Sequence, residues 1–561
     1  DWGGTSTYSF DALGRQSGQT DAAGFVQSYG YDPNGNRTGL NLVGTGLFTY
    51  IFDSLNRLAS AQKPGNALYT MAYDADSRRT TMMLGNGTTR KYQFDNRGQL
   101  TTQIEFSGAT PLCTIVDGYD PVGNRLTRNL DGNPITWSYD DLYRLTGQQK
   151  AGQVCTYTLD GVGNLKTMWE GGNFPKTFTF NAADRLVTMV EGASLTTYAW
   201  TGYGALESEV TGNSTTGYAY NGQDQLAVVT EPSGDKTTYS FDGDGLRRSV
   251  AITNVNQDPP TLDVTTMVWD GSDYLLLNEP TQNRVVLTLD SEIVACGSKD
   301  LLTDPLGSLV KEISAGASLG GLVQLTPYGT LLPTSEEPST PFIYIAAYGY
   351  YHDSAERDYV RARELDKRLG RWMQTDPLWP DETAYGYGGS NPSNSVDPSG
   401  LQILIPIPLP GTPWWPFPPD PISILPSPLC DWLAPVLPGP DYGIGSCYNG
   451  ENRNCCTACG LCFSSSQECS NGVAALKGSG YKCGDILICC TPTTCVQVVV
   501  TDTGKGRPGR IIDFGCCFAK NNGIMDKPGL VPVTCRKIGH KKIKRQCQKN
   551  SDCPGKKGPL C

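Results

Sequence analysis

Charge is scarce along this chain. Asp, Glu, Lys and Arg make up only 18% of its 561 residues, while glycine (65) and tyrosine (28) are plentiful. That balance suits turns and strands better than solvated surface helices, so the expected class is all-β. Long apolar runs are missing as well. No stretch of about 18 apolar residues occurs, and the most apolar segment, residues 402–425, is interrupted by proline throughout, which argues against a transmembrane helix. The chain opens with DWGG and lacks both an initiator Met and the apolar core of a signal peptide. It is therefore expected to be a processed or truncated piece of a longer polypeptide.

Cysteine is nearly absent from the first 400 residues, where Cys113, Cys155 and Cys296 stand alone, yet seventeen fall between Cys430 and Cys561. That asymmetry marks a boundary. Such density in a short tail reads as a disulfide framework, and hence as an oxidising, extracellular setting. Charge divides in the same way. The formal charge is −11, but residues 501–561 hold 14 Lys/Arg against 4 Asp/Glu, which leaves about −21 for residues 1–500.

A chain of this length is too long for one ordinary core unless the core is built by repetition, and repetition is what the body shows. YSFDALGR, YGYDPNGNR, YIFDSLNRL, YQFDNRGQL, WSYDDLYRL, YTLDGVGNL and YSFDGDGLRR are variants of one unit. Its Asp, or a stand-in, falls at Asp11, Asp32, Asp53, Asp74, Asp95, Asp120, Asp140, Asp160, Asn181, Thr201, Asn221 and Asp242, a period of about 20 to 21 residues with one insertion. A fixed period of this size signals a repeat architecture. Alternating aromatics suit a strand, Asp followed by Gly or Asn suits a side-chain-capped turn, and the next residues, such as Arg57-Leu58 or Arg144-Leu145, start the returning strand. One such hairpin cannot bury its own face, so successive hairpins must pair into one long sheet.

These units resemble the YD repeats of the RHS family, which takes in bacterial RHS toxins, the C component of insecticidal toxin complexes, and animal teneurins. The resemblance runs over roughly residues 1–401. It implies hairpins wound into a spiralling sheet or hollow shell, with the repeat aromatics structural. From Asp304 the pattern changes to one similar to the RHS-associated core. Its hallmarks fall at Tyr350 to Asp353, Tyr359 to Arg363, Leu369 to Trp372, Asp376-Pro377, Tyr385 to Tyr387, Asn391-Pro392 and Asp397 to Leu401. In relatives this core plugs the shell and cuts itself after the Leu of DPxGL. Carried across, the resemblance implies cleavage after Leu401, with Asp376 and Asp397 as an acid/base pair and Arg371 as an orienting cation. Two carboxylates brought together do not both ionise cheaply, so one keeps its proton. The first motif departs from the family pattern, reading DPLWP where relatives carry DPxG.

The expected organisation is a repeat shell over 1–300, the core over 301–401, a Pro/Trp-rich linker or strap over 402–446, and a small Cys-rich, disulfide-stabilised basic domain over 447–561. In the last of these, Cys456-x-x-Cys459-x-x-Cys462 has metal-ligand spacing. Vicinal pairs in Gly- and Ser-rich loops, with His540 the domain's one histidine, fit disulfides better. No metal or cofactor is expected. Seventeen is odd, so at least one thiol is free or pairs elsewhere. No nuclease or ADP-ribosyltransferase constellation is apparent around His540.

Two functions are compatible with these features. One is a secreted or surface-delivered shell that encloses or presents the Cys-rich domain as a toxin-like effector. The other is an extracellular structural or adhesive protein in which that domain locks subunits together or grips a surface. Partners are the chain's own C-terminal domain, neighbouring subunits, or a target-cell or matrix surface, with nucleic acid weakly supported.

Overall fold

The computed structural model describes residues 4–403 apart from 258 and 380–382, and beyond them the backbone of six strands. The repeat begins with its turn. Asp53 Oδ1 accepts the N–H of Leu55 (2.9 Å) and of Arg57 (3.0 Å), while Oδ2 takes Arg57 Nε (2.7 Å). Asn56 closes the turn at φ 59, a left-handed backbone that Asn and Gly tolerate. The stand-ins cap as well: Asn181 Oδ1 accepts from Ala183 and Arg185, and Thr201 Oγ1 from Ala205.

The arginine that ends many units joins one turn to the next. Arg15 lies over the Tyr31 ring (4.6 Å) and bonds Asp32 O (3.1 Å). Arg57 lies over Tyr73 (4.7 Å). Tyrosines reach back in the other direction, Tyr73 OH to Leu58 O (2.8 Å) and Tyr139 OH to Arg125 O (2.7 Å). Successive hairpins are thus tied by cation–π and hydrogen-bond contacts as well as by strand pairing.

From Thr7–Phe10 to Ser318–Leu319, 31 strands form one sheet, each antiparallel to the next in chain order. It runs past residue 300, because Leu309–Ser314 and Ser318–Leu319 extend it. Among the described residues the first and last strands pair only with their chain neighbours, so the sheet is open. Strand alternation buries one face, with Phe48, Tyr69, Tyr157 and Leu206 on it,. That face curls back on itself. Leu40, Phe48, Tyr69 and Met82 share a core with Val268, Leu275, Leu287 and Val294. Polar bonds cross the same seam: Arg37 grips Asp270 at 2.7 and 2.5 Å, and Tyr69 OH donates to Asp300 (2.5 Å).

After Leu319 the chain forms a closing segment around a small antiparallel sheet of Tyr351–His352, Arg357–Val360, Arg363–Asp366 and Arg371–Trp372. It packs on the buried face of the repeat sheet through Trp200 against Tyr385 (4.9 Å) and Tyr157 against Tyr328 (5.3 Å). The chain divides into two compact units, Asp1–Ile422 and Ser423–Cys561. In the second, Asp441–Tyr448, Gly472–Ala475, Asp485–Cys490, Cys495–Asp502, Ile512–Gly515 and Leu530–His540 pair into a closed barrel. The disulfide and metal readings concern side chains outside the described residues.

Candidate self-cleavage site

The two Asp-Pro motifs come from different loops and meet on one arginine. Arg363 Nη1 donates to Asp376 Oδ2 (2.5 Å) and Nη2 to Asp397 Oδ2 (2.9 Å). Its Nε donates to the carbonyl of Gly400, and its guanidinium lies 4.1 Å over the Trp372 ring. All three charged side chains are buried, with Asp397 wholly enclosed. Burial pushes the Asp376 carboxyl above its ordinary range, Arg363 pulls it back, and the nearby Asp397 adds to the rise,.

Asp397 also holds the bond after Leu401. Its Oδ1 accepts the N–H of Leu401 (3.0 Å) and of Gln402 (3.0 Å), the second being the amide of the Leu401–Gln402 peptide. Tyr350 fixes the Asp397 backbone from the other side. Its OH donates to Asp397 O (2.8 Å) and accepts from Asp397 N (2.9 Å). Gly400 sits at φ +70, and a Cβ there would lie 2.2 Å from Val360 O and 3.0 Å from Arg363 N. Only glycine lets the chain pass so close to the arginine's strand.

The DPLWP departure leaves the first turn formed. Leu378 N donates to Asp376 Oδ1 (2.8 Å) and Trp379 N to Asp376 O (3.0 Å), with the Trp379 side chain largely exposed. Pro380 lies outside the described residues.

Of the three residues singled out from the sequence, Asp376 and Asp397 are brought together and Arg371 is not. Arg371 Nη2 donates to Asp184 O (2.7 Å), and its guanidinium lies between Phe180 (4.8 Å) and Tyr385 (4.9 Å). The cause is strand parity. Arg371 pairs with Asp366 and Trp372 with Leu365, so Arg363, two residues before Leu365, shares the face of Trp372 while Arg371 takes the other. Sequence reasoning did not single out Arg363 and Tyr350, although both stand inside hallmark stretches, Tyr359 to Arg363 and Tyr350 to Asp353.

Comparisons with known proteins agree with this architecture. The RHS Repeat family model matches residues 10–46. The tRNA3(Ser)-specific nuclease WapA of Bacillus spizizenii is 25% identical over 276 residues, which is 45% of this chain and 11% of that protein. Double-stranded DNA deaminase toxin A of Burkholderia cenocepacia is 24% identical over 349 residues, 56% of this chain and 22% of that protein. The chain thus spans between about a tenth and about a fifth of the length of these relatives. Among solved structures, the Photorhabdus luminescens Tc holotoxin pore carrying a TccC3 variant shares the fold at a TM-score of 0.53 and 17% identity, over 72% of this chain and 22% of that one.

Proposed function

We propose that this chain, whose residues 10–46 match the RHS Repeat family model, is a secreted shell that carries its basic C-terminal domain as a toxin-like effector and frees it by cutting itself after Leu401. The observation that carries the reading is the double engagement of Asp397. One oxygen faces the Gln402 N–H at 3.0 Å and the other shares Arg363 with Asp376.

In this reading Asp397 takes a proton from a water that attacks the Leu401 carbonyl carbon, and passes it to the Gln402 nitrogen as the C–N bond breaks. The products are a Leu401 carboxyl and a Gln402 amine. Asp376, biased by burial towards its protonated form, is the neutral partner that lets two carboxyls share one cavity. Arg363 orients both, the role first assigned to Arg371. Tyr350 and Gly400 hold the turn so that the peptide stays against Asp397.

The toxin-like role draws on the kinship with a nuclease and a deaminase toxin. The reaction catalysed by either relative is not carried over. The test is intact mass: purified chain should appear as two species, 1–401 and 402–561, and Asp397→Asn as one.

One observation favours the structural alternative. Asp397 Oδ1 caps its turn through the N–H four residues on, as Asp53 does in the repeats. If the wild-type chain stays whole, the cluster is a cap and the C-terminal domain remains tethered to its shell.

A further inference from the structure

Arg361 stands where an arginine is disfavoured. It takes the first position of the two-residue turn between Arg357–Val360 and Arg363–Asp366, whose ends pair Val360 with Arg363, and its backbone is left-handed at φ 50. Such a position favours Gly, Asn or Asp. Local preference therefore argues against this residue, and a strained backbone of this kind persists where the surrounding contacts fix it.

Those contacts gather three stretches that are far apart in the chain. Arg361 Nη1 donates to Tyr348 O (2.9 Å) and Pro398 O (2.5 Å), while Nε and Nη2 donate to Ser272 O (3.2 and 3.1 Å). The guanidinium is seated on Gly349, where a Cβ would stand 3.2 Å from Nη2. Pro398 O is one of four consecutive carbonyls held in the turn that leads to Leu401. Asp397 O accepts from Tyr350 OH (2.8 Å), Pro398 O from Arg361, Ser399 O from Ala362 N (3.1 Å) and Gly400 O from Arg363 Nε. The next carbonyl is the one attacked in the proposed reaction.

Ser272 lies in the repeat sheet, in the turn that joins Thr261–Asp270 to Asp273–Asn278. The strand that leads into this turn is held across the curl, with Arg37 gripping Asp270 (2.7 and 2.5 Å) and Gln27 Nε2 donating to Trp269 O (2.8 Å). Contacts thus run without a break from the first hairpins through Asp270, Ser272 and Arg361 to Pro398.

We propose that Arg361 is a positioning residue that couples the turn before Leu401 to the closed curl of the repeat sheet. The peptide after Leu401 is held against Asp397 only once Arg37 has fixed the strand that carries Ser272, so the cut waits for the sheet to close. The consequence for cleavage rests on the self-cleavage reading; the coupling itself is a property of the fold. Arg361 touches neither the attacking water nor the broken bond, and acts through the Pro398 carbonyl. Its planar fork suits the task, because a lysine at the same place offers no fixed geometry to bridge two carbonyls.

The test uses the full chain carrying Asp376→Asn, which keeps it whole, and reads hydrogen exchange of residues 400–402 by mass spectrometry. Adding Arg361→Gln should speed exchange there by at least about tenfold. Adding Arg37→Gln should act in the same sense, and the two together should be no faster than the faster single. Tyr69→Phe, which removes the bond to Asp300 elsewhere on the same seam, should change nothing at 400–402. Asn133–Tyr139 should stay protected throughout as a check on the fold; if Arg361→Gln fails that check, Arg361→Lys takes its place. Exchange that does not respond at residue 361, effects of the two substitutions that multiply, or an equal effect of Tyr69→Phe would overturn the proposal. With both aspartates present, Arg361→Gln should slow the cut by about a hundredfold and keep its pH dependence; an unchanged rate or an altered pH profile would overturn the positioning role. A wild-type chain that stays whole would instead remove the self-cleavage reading, and the exchange measurement would still decide the coupling.

Discussion

Asp397 spends one oxygen on two backbone amides and the other on Arg363, so replacing it with Asn keeps the size of the side chain and removes the proton acceptor. Asp397→Asn and Asp376→Asn should each abolish the cut after Leu401, read as a single species by intact mass. Arg363→Lys loses the planar fork that reaches both carboxyls, and should slow cleavage by about a hundredfold. Arg371→Lys should not, because Arg371 serves the Asp184 carbonyl. Gly400→Ala meets Val360 O at 2.2 Å and should stop the cut by shifting the peptide off Asp397. The pH dependence has a definite sign. Burial raises the Asp376 carboxyl above its ordinary range, its proton is needed in the reaction, and so the rate should fall as pH rises through that raised value. The check is the time course of cleavage in freshly synthesised chain at a series of pH values; a rate that climbs with pH would contradict the roles given to the pair. At this scale the sequence disclosed the two aspartates through their motifs. The arginine that meets them is Arg363 and not Arg371, because a linear motif does not show which face of a strand a side chain occupies.

Among elements, the capped turn is the unit that repeats. Its chemistry was legible beforehand: Asp at a fixed period, Gly or Asn three residues on, then Arg or Leu. The pairing of consecutive strands could be inferred from that period. Asp140 is representative, accepting from Leu142 N (3.0 Å) and Arg144 N (2.9 Å) and pairing with Arg144. Asp140→Ala should cost about 1 kcal/mol and lower hydrogen-exchange protection in Asn133–Tyr139 and Leu145–Lys150, leaving the cut intact. Equal loss of protection along the whole sheet would mean that the hairpins do not act as separable units. Less legible was the arginine bridge between turns. Arg15 pairs with Asp11 inside its own unit (2.7 Å) and also lies over Tyr31 of the next, and a single unit read alone shows only the first of these contacts.

For the whole of the first unit, the curl of the sheet and the seating of the closing segment come from contacts between residues far apart in the chain, such as Arg37 with Asp270. The period predicts a long sheet but contains no term for which hairpin meets which across the curl. Arg247 shows what such contacts are worth. It is fully buried, its Nη1 bonds Asp353 (2.6 and 2.7 Å), its Nη2 bonds Glu364 (2.6 Å), and its guanidinium lies over Tyr239 (4.0 Å) and Tyr359 (3.8 Å). Arg247→Ala leaves two buried carboxyls without their cation and should cost about 3 to 5 kcal/mol, read in urea titration as a lower midpoint. Because Glu364 is the next residue after Arg363, cleavage should weaken in parallel. In the proposed function the closing segment holds Asp376 and Asp397 on Arg363 in order to cut the chain beside Leu401. The direct measurement is intact mass of the purified wild-type chain, reduced and denatured, beside Asp397→Asn. Wild type should give fragments 1–401 and 402–561, and the variant should stay uncut. A wild-type chain that stays whole, or a variant still cut after Leu401, would contradict it.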